Sequence, residues 1–317
     1  MRRPAQPEQG IDCLSLAPRE RGLRDREFSQ RIKDEIFSAE KETPTLHTIA
    51  YLGPEHTFSH LVARRRFPQN RLIPCVSIAE VIAFTESEED RLGLVPIENS
   101  SGGMILETVD LLLEEEQPLF IQEELALRVH LALIGHGGEP PQIVFSHWAP
   151  LGHCRRWIEK RFPKVELRVA ASTSEAAWLA AKTPRAAALA TREAAAATGL
   201  SILHYPVEEG IVNLTQFVLL GRKKPSPGGR ETSLVFSLPQ EPGSLCSFLE
   251  VFRTEQINLK RIVSRPVPGQ PNTYVFFVSL EGSDEEGPME RALRKVEQRA
   301  LRCRSLGSYL VQAPYES

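Results

Sequence analysis

The chain has 317 residues, 41% apolar and 25% charged, with 38 Lys and Arg against 41 Asp and Glu for a formal net charge of −3. That length can bury two cores rather than one, and a charge so near balance gives no global field for nucleic acid or an anionic membrane, so an anion must be held by local groups. The five cysteines, Cys13, Cys75, Cys154, Cys246 and Cys303, are odd in number and far apart, which fits neither a disulfide framework nor a metal cluster and predicts a reducing, cytoplasmic setting. No apolar segment follows Arg2 and Arg3, and no run reaches the roughly 18 apolar residues of a membrane span.

Residues 1–45 are dense in Arg, Glu, Asp and Gln and read as an extension, with a helix over 21–41 on which Ile32, Ile36 and Phe37 form a weak apolar stripe. Residues 46–52 then read as a strand, Gly53-Pro54 as a break, and 57–67 as a helix with Phe58, Leu61, Val62 and Phe67 at helical spacing. A strand at 73–76 and a helix at 78–85 repeat the unit. Residues 91–97 are a nearly all-apolar strand of the kind buried in a parallel sheet, running into the polar turn Glu98-Asn99-Ser100-Ser101-Gly102-Gly103 and a helix at 107–116.

The same style continues to about residue 210. Residues 125–134 form one strand-rich stretch, 143–145 a strand entering Ser146-His147, 151–161 a helix, and 166–170 a strand leading to Ser172-Thr173 at the start of an alanine-rich helix to 181. A strand at 186–190, a helix at 192–197 stopped by Gly199, and strands at 201–205 and 212–220 complete the region. Strands that end in Ser, Thr or Asn and feed helix N-termini gather N–H groups around an anion, so a ligand is expected there. His147 and His153 have no fitting third ligand for zinc, and Gly102-Gly103 lacks the Lys-Ser/Thr sequel of a P-loop.

Residues 221–230, with Lys223, Lys224, Pro225, Pro227, Gly228 and Gly229, compose a linker. Beyond it, strands at 231–238, 257–263, 272–280 and 308–312 and helices at 243–254 and 289–301 give the order βαββαβ, the ferredoxin-like split βαβ, which suits a sensor or dimerisation module. The fold class expected is α/β with two domains, 46–220 and 231–312.

Several phrases now carry a resemblance over about 48–312. They are Ile49-Ala50-Tyr51-Leu52-Gly53-Pro54-Glu55 with Thr57-Phe58-Ser59, Val95-Pro96-Ile97-Glu98-Asn99-Ser100, Ser146-His147 with Cys154, and Ala171-Ser172-Thr173. Pro242-Gly243-Ser244-Leu245, Ile257-Asn258-Leu259 and Ser264-Arg265-Pro266 extend it. The chain resembles prephenate dehydratase, a two-lobed catalytic domain of the periplasmic-binding-protein type followed by an ACT regulatory domain. The resemblance implies conversion of prephenate to phenylpyruvate with loss of water and CO2 in phenylalanine biosynthesis. It also implies no cofactor or metal, because aromatisation drives the reaction, and assembly as a homodimer or homotetramer with phenylalanine as effector.

By the same resemblance Thr215, Gln216 and Phe217 are the catalytic positions, where the family has Thr-Arg-Phe. Asn99, Ser100, Ser172, Thr173, His56 and Thr57 are expected at the substrate, and Gly243, Ser244, Leu245, Asn258, Ser264, Arg265 and Pro266 at the effector. The threonine is the proton or hydrogen-bond donor to the departing hydroxide, and the family's arginine offers a charged fork to a carboxylate. The chain departs from the family at Gln216, at His56 where glycine is usual, at Ser101-Gly102-Gly103, at Trp148-Ala149-Pro150, and at Val263 where the family has glutamate. His56 is either a compensating cation or a surface residue, and Ser100 and Thr173 are either helix caps or ligand hydroxyls. Two other functions stay open beside dehydration of prephenate: a variant that decarboxylates prephenate without aromatising it or that uses arogenate, and a non-catalytic aromatic-acid or amino-acid sensor.

Overall fold

The computed structural model describes residues 47–317 except 115, 117, 208–211 and 286. Residues 1–46, with the helix expected at 21–41, lie outside the described residues. Strand β1 (Thr48–Leu52) pairs in parallel with both β2 (Arg71–Cys75) and β3 (Arg91–Asn99). Helices α1 (Phe58–Arg66) and α2 (Ile78–Ser87) make the crossovers. Each starts on a side-chain cap: Thr57 accepts from the His60 N–H, and Ser77 from the Glu80 N–H. Gly93 lets α2 settle on β3, because a Cβ there would lie 2.2 Å from Thr85 Oγ1 and 2.9 Å from Val81 Cγ1. Gly93→Ala is therefore expected to destabilise the protein by about 1–3 kcal/mol through overpacking, read as a fall in the urea midpoint with the slope unchanged.

After the short strand β4 (Gly103–Met104), helix α3 runs over Leu106–Leu112 rather than to residue 116. The acidic run at 114–116 would crowd charge against the negative end of the helix, and Pro118 disfavours its continuation. Strand β5 (Phe120–Arg128) follows, and the chain then crosses to a second sheet at β6 (Ala132–Gly135). The single stretch expected over 125–134 is thus two strands in two lobes.

The second lobe holds β7 (Ile143–Ser146), α4 (Trp148–Arg161), β8 (Glu166–Val169), α5 (Thr173–Lys182), β9 (Ala186–Ala190), α6 (Arg192–Thr198) and β10 (Ser201–His204). Its five-stranded sheet has the order β10-β6-β9-β7-β8. Helix α4 begins at Trp148 and not at 151, since Pro150 falls in the first turn, where its missing N–H is no loss. The chain returns through β11 (Leu214–Gly221), which lies antiparallel between β5 and β3. The two connecting segments bond to each other, Val129 N to Asn213 O and Val207 N to Leu131 O, both at 2.7 Å, forming a paired hinge.

The C-terminal domain contains β12 (Glu231–Ser237), α7 (Ser244–Thr254), β13 (Leu259–Pro266), β14 (Tyr274–Glu281), α8 (Gly287–Glu297) and β15 (Arg302–Val311). The order β13-β14-β12-β15 is that of the ferredoxin-like fold. Strand β15 begins six residues before the expected 308, and its far end pairs in parallel with β5 through Leu310↔Glu123 and Val311↔Glu124. One 11-stranded sheet therefore joins the C-terminal domain to the first lobe. A last strand, β16 (Tyr315–Glu316), also pairs with β5, and Glu316 binds Arg128 at 2.7 Å and His130 at 3.1 Å beside the hinge. Among the described residues no helix is long and apolar enough to cross a membrane.

Candidate active site

A cleft of about 1010 Å³ opens between the lobes. The N-terminal ends of α1, α4 and α5 all reach its wall, through Thr57 and Phe58, Trp148 and Ala149, and Ser172 and Thr173. The N-terminal end of a helix carries partial positive charge and unpaired N–H groups. Among the described residues neither lysine nor arginine lines the cleft, so helix ends, hydroxyls and the imidazoles of His147 and His153 are its means of holding a carboxylate.

In the same cleft, β3 and β11 bring Asn99 against Thr215, which are cross-strand neighbours. Asn99 Nδ2 donates to Thr215 Oγ1 and to Asn213 Oδ1, each at 2.9 Å, while its Oδ1 accepts from the N–H groups of Ser101 and Gly102, also at 2.9 Å. Every hydrogen-bonding capacity of the Asn99 amide that orients it is thus committed. Thr215 Oγ1 is an acceptor in that network, so its own proton is left to donate elsewhere. The side chain is 7% exposed, and both Thr215 and Phe217 line the cleft.

Gln216 does not. Alternation along β11 turns it to the opposite face, where Nε2 donates to Glu124 Oε1 at 2.9 Å. The expectation that it faces the ligand is corrected by the strand period alone. Ser100 is likewise outside the cleft wall: its hydroxyl donates to Val212 O and accepts from Leu214 N, each at 2.9 Å, which pins the returning chain to the turn after β3. His56 is also outside it, in a left-handed backbone conformation (φ 66°) with its N–H on His60 Nδ1 at 2.8 Å. Thr57, Asn99, Ser172 and Thr173 do line the cleft. The effector positions fall in two places, Gly243 to Leu245 at the start of α7, and Asn258 just before β13 with Ser264 to Pro266 at its far end, and Arg265 pairs with Asp110 of α3 at 2.7 Å.

Among the described residues, hydrogen bonds join one lobe to the other. Ser101 Oγ meets His153 Nδ1 at 3.0 Å, and Ser174 Oγ donates to Glu55 O at 2.8 Å. Gly102 lies beneath Trp148, whose ring would be 3.8 Å from an added Cβ, so the glycine turn and the tryptophan at the start of α4 together shape one rim. The sequence shows both departures; only the fold shows that they face each other.

Burial lowers His147, in the cleft wall, below the ordinary 6.5. His60 is lowered too, by burial against a smaller opposing pull from Glu55, and the stacked Tyr51 is pushed up to about 12 by burial and then Glu55. Because His60 Nδ1 accepts the His56 N–H, protonation there would break a bond. For both histidines the unfolded chain binds more protons below 6.5, so stability is expected to fall as pH drops through that value. Urea melts between about pH 8 and pH 5 check this, and a His60→Gln/His147→Gln chain should show a flatter profile.

Comparison with known proteins gives the family. The sequence pattern of the prephenate dehydratase family matches residues 49–225, and that of the ACT domain matches 232–298. The bifunctional chorismate mutase/prephenate dehydratase of Aquifex aeolicus is 34% identical over 290 residues, 91% of this chain and 80% of that protein. The prephenate dehydratase of Methanocaldococcus jannaschii is 33% identical over 83% of this chain and 98% of its own. The crystal structure of prephenate dehydratase from Arthrobacter aurescens in complex with L-Phe superposes with a TM-score of 0.76 at 26% identity, covering 83% of this chain and 90% of that one. With the matched pattern spanning both lobes and the Asn99–Thr215 pair between them, the chain belongs to the prephenate dehydratase family.

Proposed function

We propose that this protein converts prephenate to phenylpyruvate. Prephenate carries two carboxylates and a ring hydroxyl. The reaction breaks the ring C–O bond and the C–C bond to the ring carboxylate, releases water and CO2, and leaves an aromatic ring, consuming one proton. The electron pair of the C–C bond enters the ring as hydroxide leaves, so the step needs a donor at the departing oxygen. Thr215 carries this reading: Asn99 fixes its oxygen as an acceptor, which leaves its proton for the leaving group. A threonine is a poor acid, and its value lies in the orientation that Asn99 gives it at a nearly buried position. The helix ends of α1, α4 and α5 supply partial positive charge for the two carboxylates, and Phe217 gives the ring an apolar wall.

Ser172 and Thr173 are proposed as the substrate hydroxyls; Thr57 stands beside them in the cleft wall, but its hydroxyl already donates to Leu52 O and Pro54 O at 3.1 and 3.0 Å and accepts the His60 N–H. Phenylalanine is proposed as the ligand of the C-terminal domain and a homodimer or homotetramer as the assembly, in the cytoplasm. The test is purified protein with prephenate or arogenate, quantifying phenylpyruvate, phenylalanine and non-aromatic dihydro products, with and without added phenylalanine. Phenylpyruvate from prephenate supports the reading. Products that keep the hydroxyl, or binding without turnover, would overturn it.

A further inference from the structure

On the face of β11 away from Thr215 lies a buried ionic cluster that the reaction above does not use. Glu124 of β5 is 1% exposed and takes both arms of one guanidinium: Arg261 Nη1 donates to Oε2 at 2.8 Å and Nη2 to Oε1 at 2.9 Å. The Gln216 amide shares Oε1. Arg261 also donates from Nε to Glu98 Oε2 at 2.6 Å and stands 3.6 Å from Glu231 Oε2, while Lys260 holds the other oxygen of Glu231. Arg261 comes from β13, in the C-terminal domain, and its side chain is 5% exposed.

The position of these carboxylates matters more than their number. Glu98 immediately precedes Asn99 and is the cross-strand neighbour of Gln216, which immediately precedes Phe217 and follows Thr215. Glu124 lies on the other flank of β11, where Gln216 faces Ala126. One guanidinium therefore grips β3 and β5 on either side of the strand that carries Thr215. Without it, two carboxylates would face each other across β11 with only a neutral amide between them. Burial opposes the charge of Arg261, but Glu124 and then Glu98 outweigh it and hold the group firmly protonated. A bidentate fork of this kind fixes angle as well as distance.

We propose that Arg261 is a positioning residue for the reaction: from the C-terminal domain it supplies the cation that Gln216 lacks, and through Glu98 and Glu124 it sets the β3–β11–β5 alignment at which Asn99 meets Thr215. The inference rests on the dehydratase reading. It makes the C-terminal domain a structural part of the catalytic unit rather than an appended module.

The test uses the full chain with Arg261→Gln, Arg261→Lys, Gln216→Arg and the double Arg261→Gln/Gln216→Arg, reading kcat and KM for prephenate beside circular dichroism. Arg261→Gln is expected to lower kcat by about thirtyfold or more with KM changed by less than about threefold, because alignment acts in the transition state. Arg261→Lys should recover part of that loss. Gln216→Arg alone should not raise kcat, since its carboxylate is already served. The double variant, with the guanidinium moved to β11 itself, should regain about tenfold or more over Arg261→Gln, a rescue that a merely structural role does not predict. Arg261→Gln keeping kcat within about threefold, or a double variant no better than it, would overturn the proposal. Should Arg261→Gln not fold, the double variant decides alone, activity supporting the proposal and inactivity or misfolding overturning it. A wild-type chain that forms no phenylpyruvate sinks the dehydratase reading and this proposal together, whereas active wild type with an active Arg261→Gln sinks this one only.

Discussion

Thr215→Val is expected to lower kcat for phenylpyruvate formation by about 10²–10³-fold while moving KM by less than about threefold, the pattern of an interaction made only in the transition state. Valine keeps the branched shape and removes the hydroxyl. The structural cost is small, because Asn99 Nδ2 retains Asn213 Oδ1 as a partner and its Oδ1 keeps the Ser101 and Gly102 N–H groups. Burial also favours the exchange, since the position is 7% exposed beside Phe217 at 1%. The hydroxyl is therefore lost almost alone. Thr215→Ser should keep activity within about tenfold, because it restores the donor with a freer χ1. Steady-state kinetics at 25 °C with far-UV circular dichroism check both. Near-wild-type kcat in a folded Thr215→Val chain would place the proton donor elsewhere in the cleft.

Much of this was legible in the sequence, for reasons that can be named. Capping residues mark helix ends chemically, so Ser172 announced α5 and Gly199 the end of α6 in the left-handed conformation it adopts, while α1 and α2 were legible from apolar spacing and prove to start on the caps Thr57 and Ser77. The βαββαβ order was legible because turn residues punctuate it. What failed were element boundaries. In 125–134 only Arg128 and His130 interrupt the apolar run, and although they stand where the chain leaves one sheet for the other, two polar residues two apart also fit the alternation of a single strand, and the hinge bonds there are backbone to backbone. The site was half legible on the same principle. Thr215 and Asn99 stand in recognisable phrases, yet a motif does not say which residues of a strand share a face until the neighbouring strands are placed. Strand alternation could have separated Gln216 from Thr215 and Phe217. Arg261 could not have been found from the sequence, because its partners lie 137 and 163 positions away, and nothing local distinguishes it from any other strand arginine. Ser101 and His153 are brought together only by lobe closure.

Asn99→Asp is expected to cost about as much activity as loss of the threonine hydroxyl, about 10²-fold or more in kcat, while leaving most of the turn intact. The two side chains have the same shape. One carboxylate oxygen can still accept from the Ser101 and Gly102 N–H groups, as Asn99 Oδ1 does, so the chain reversal after β3 keeps its support. The other oxygen replaces a donor with an acceptor 2.9 Å from Thr215 Oγ1. The threonine must then turn its proton toward residue 99, because two acceptors at that distance repel and a hydroxyl rotates freely to resolve the conflict. The same proton cannot serve the leaving hydroxide. Asn213 resolves its half of the conflict by turning its amide, offering a donor where Oδ1 now accepts. Unlike Thr215→Val, the substitution also adds a negative charge to a cleft meant for a dianion, so KM should rise together with the fall in kcat. The two variants thus separate the roles of the pair: removing the hydroxyl acts on kcat alone, while redirecting it with a charge acts on both. An Asn99→Asp chain that is folded and turns over prephenate within about threefold of wild type would show that the direction of the Thr215 proton is immaterial, and would remove the observation on which the proposed chemistry stands.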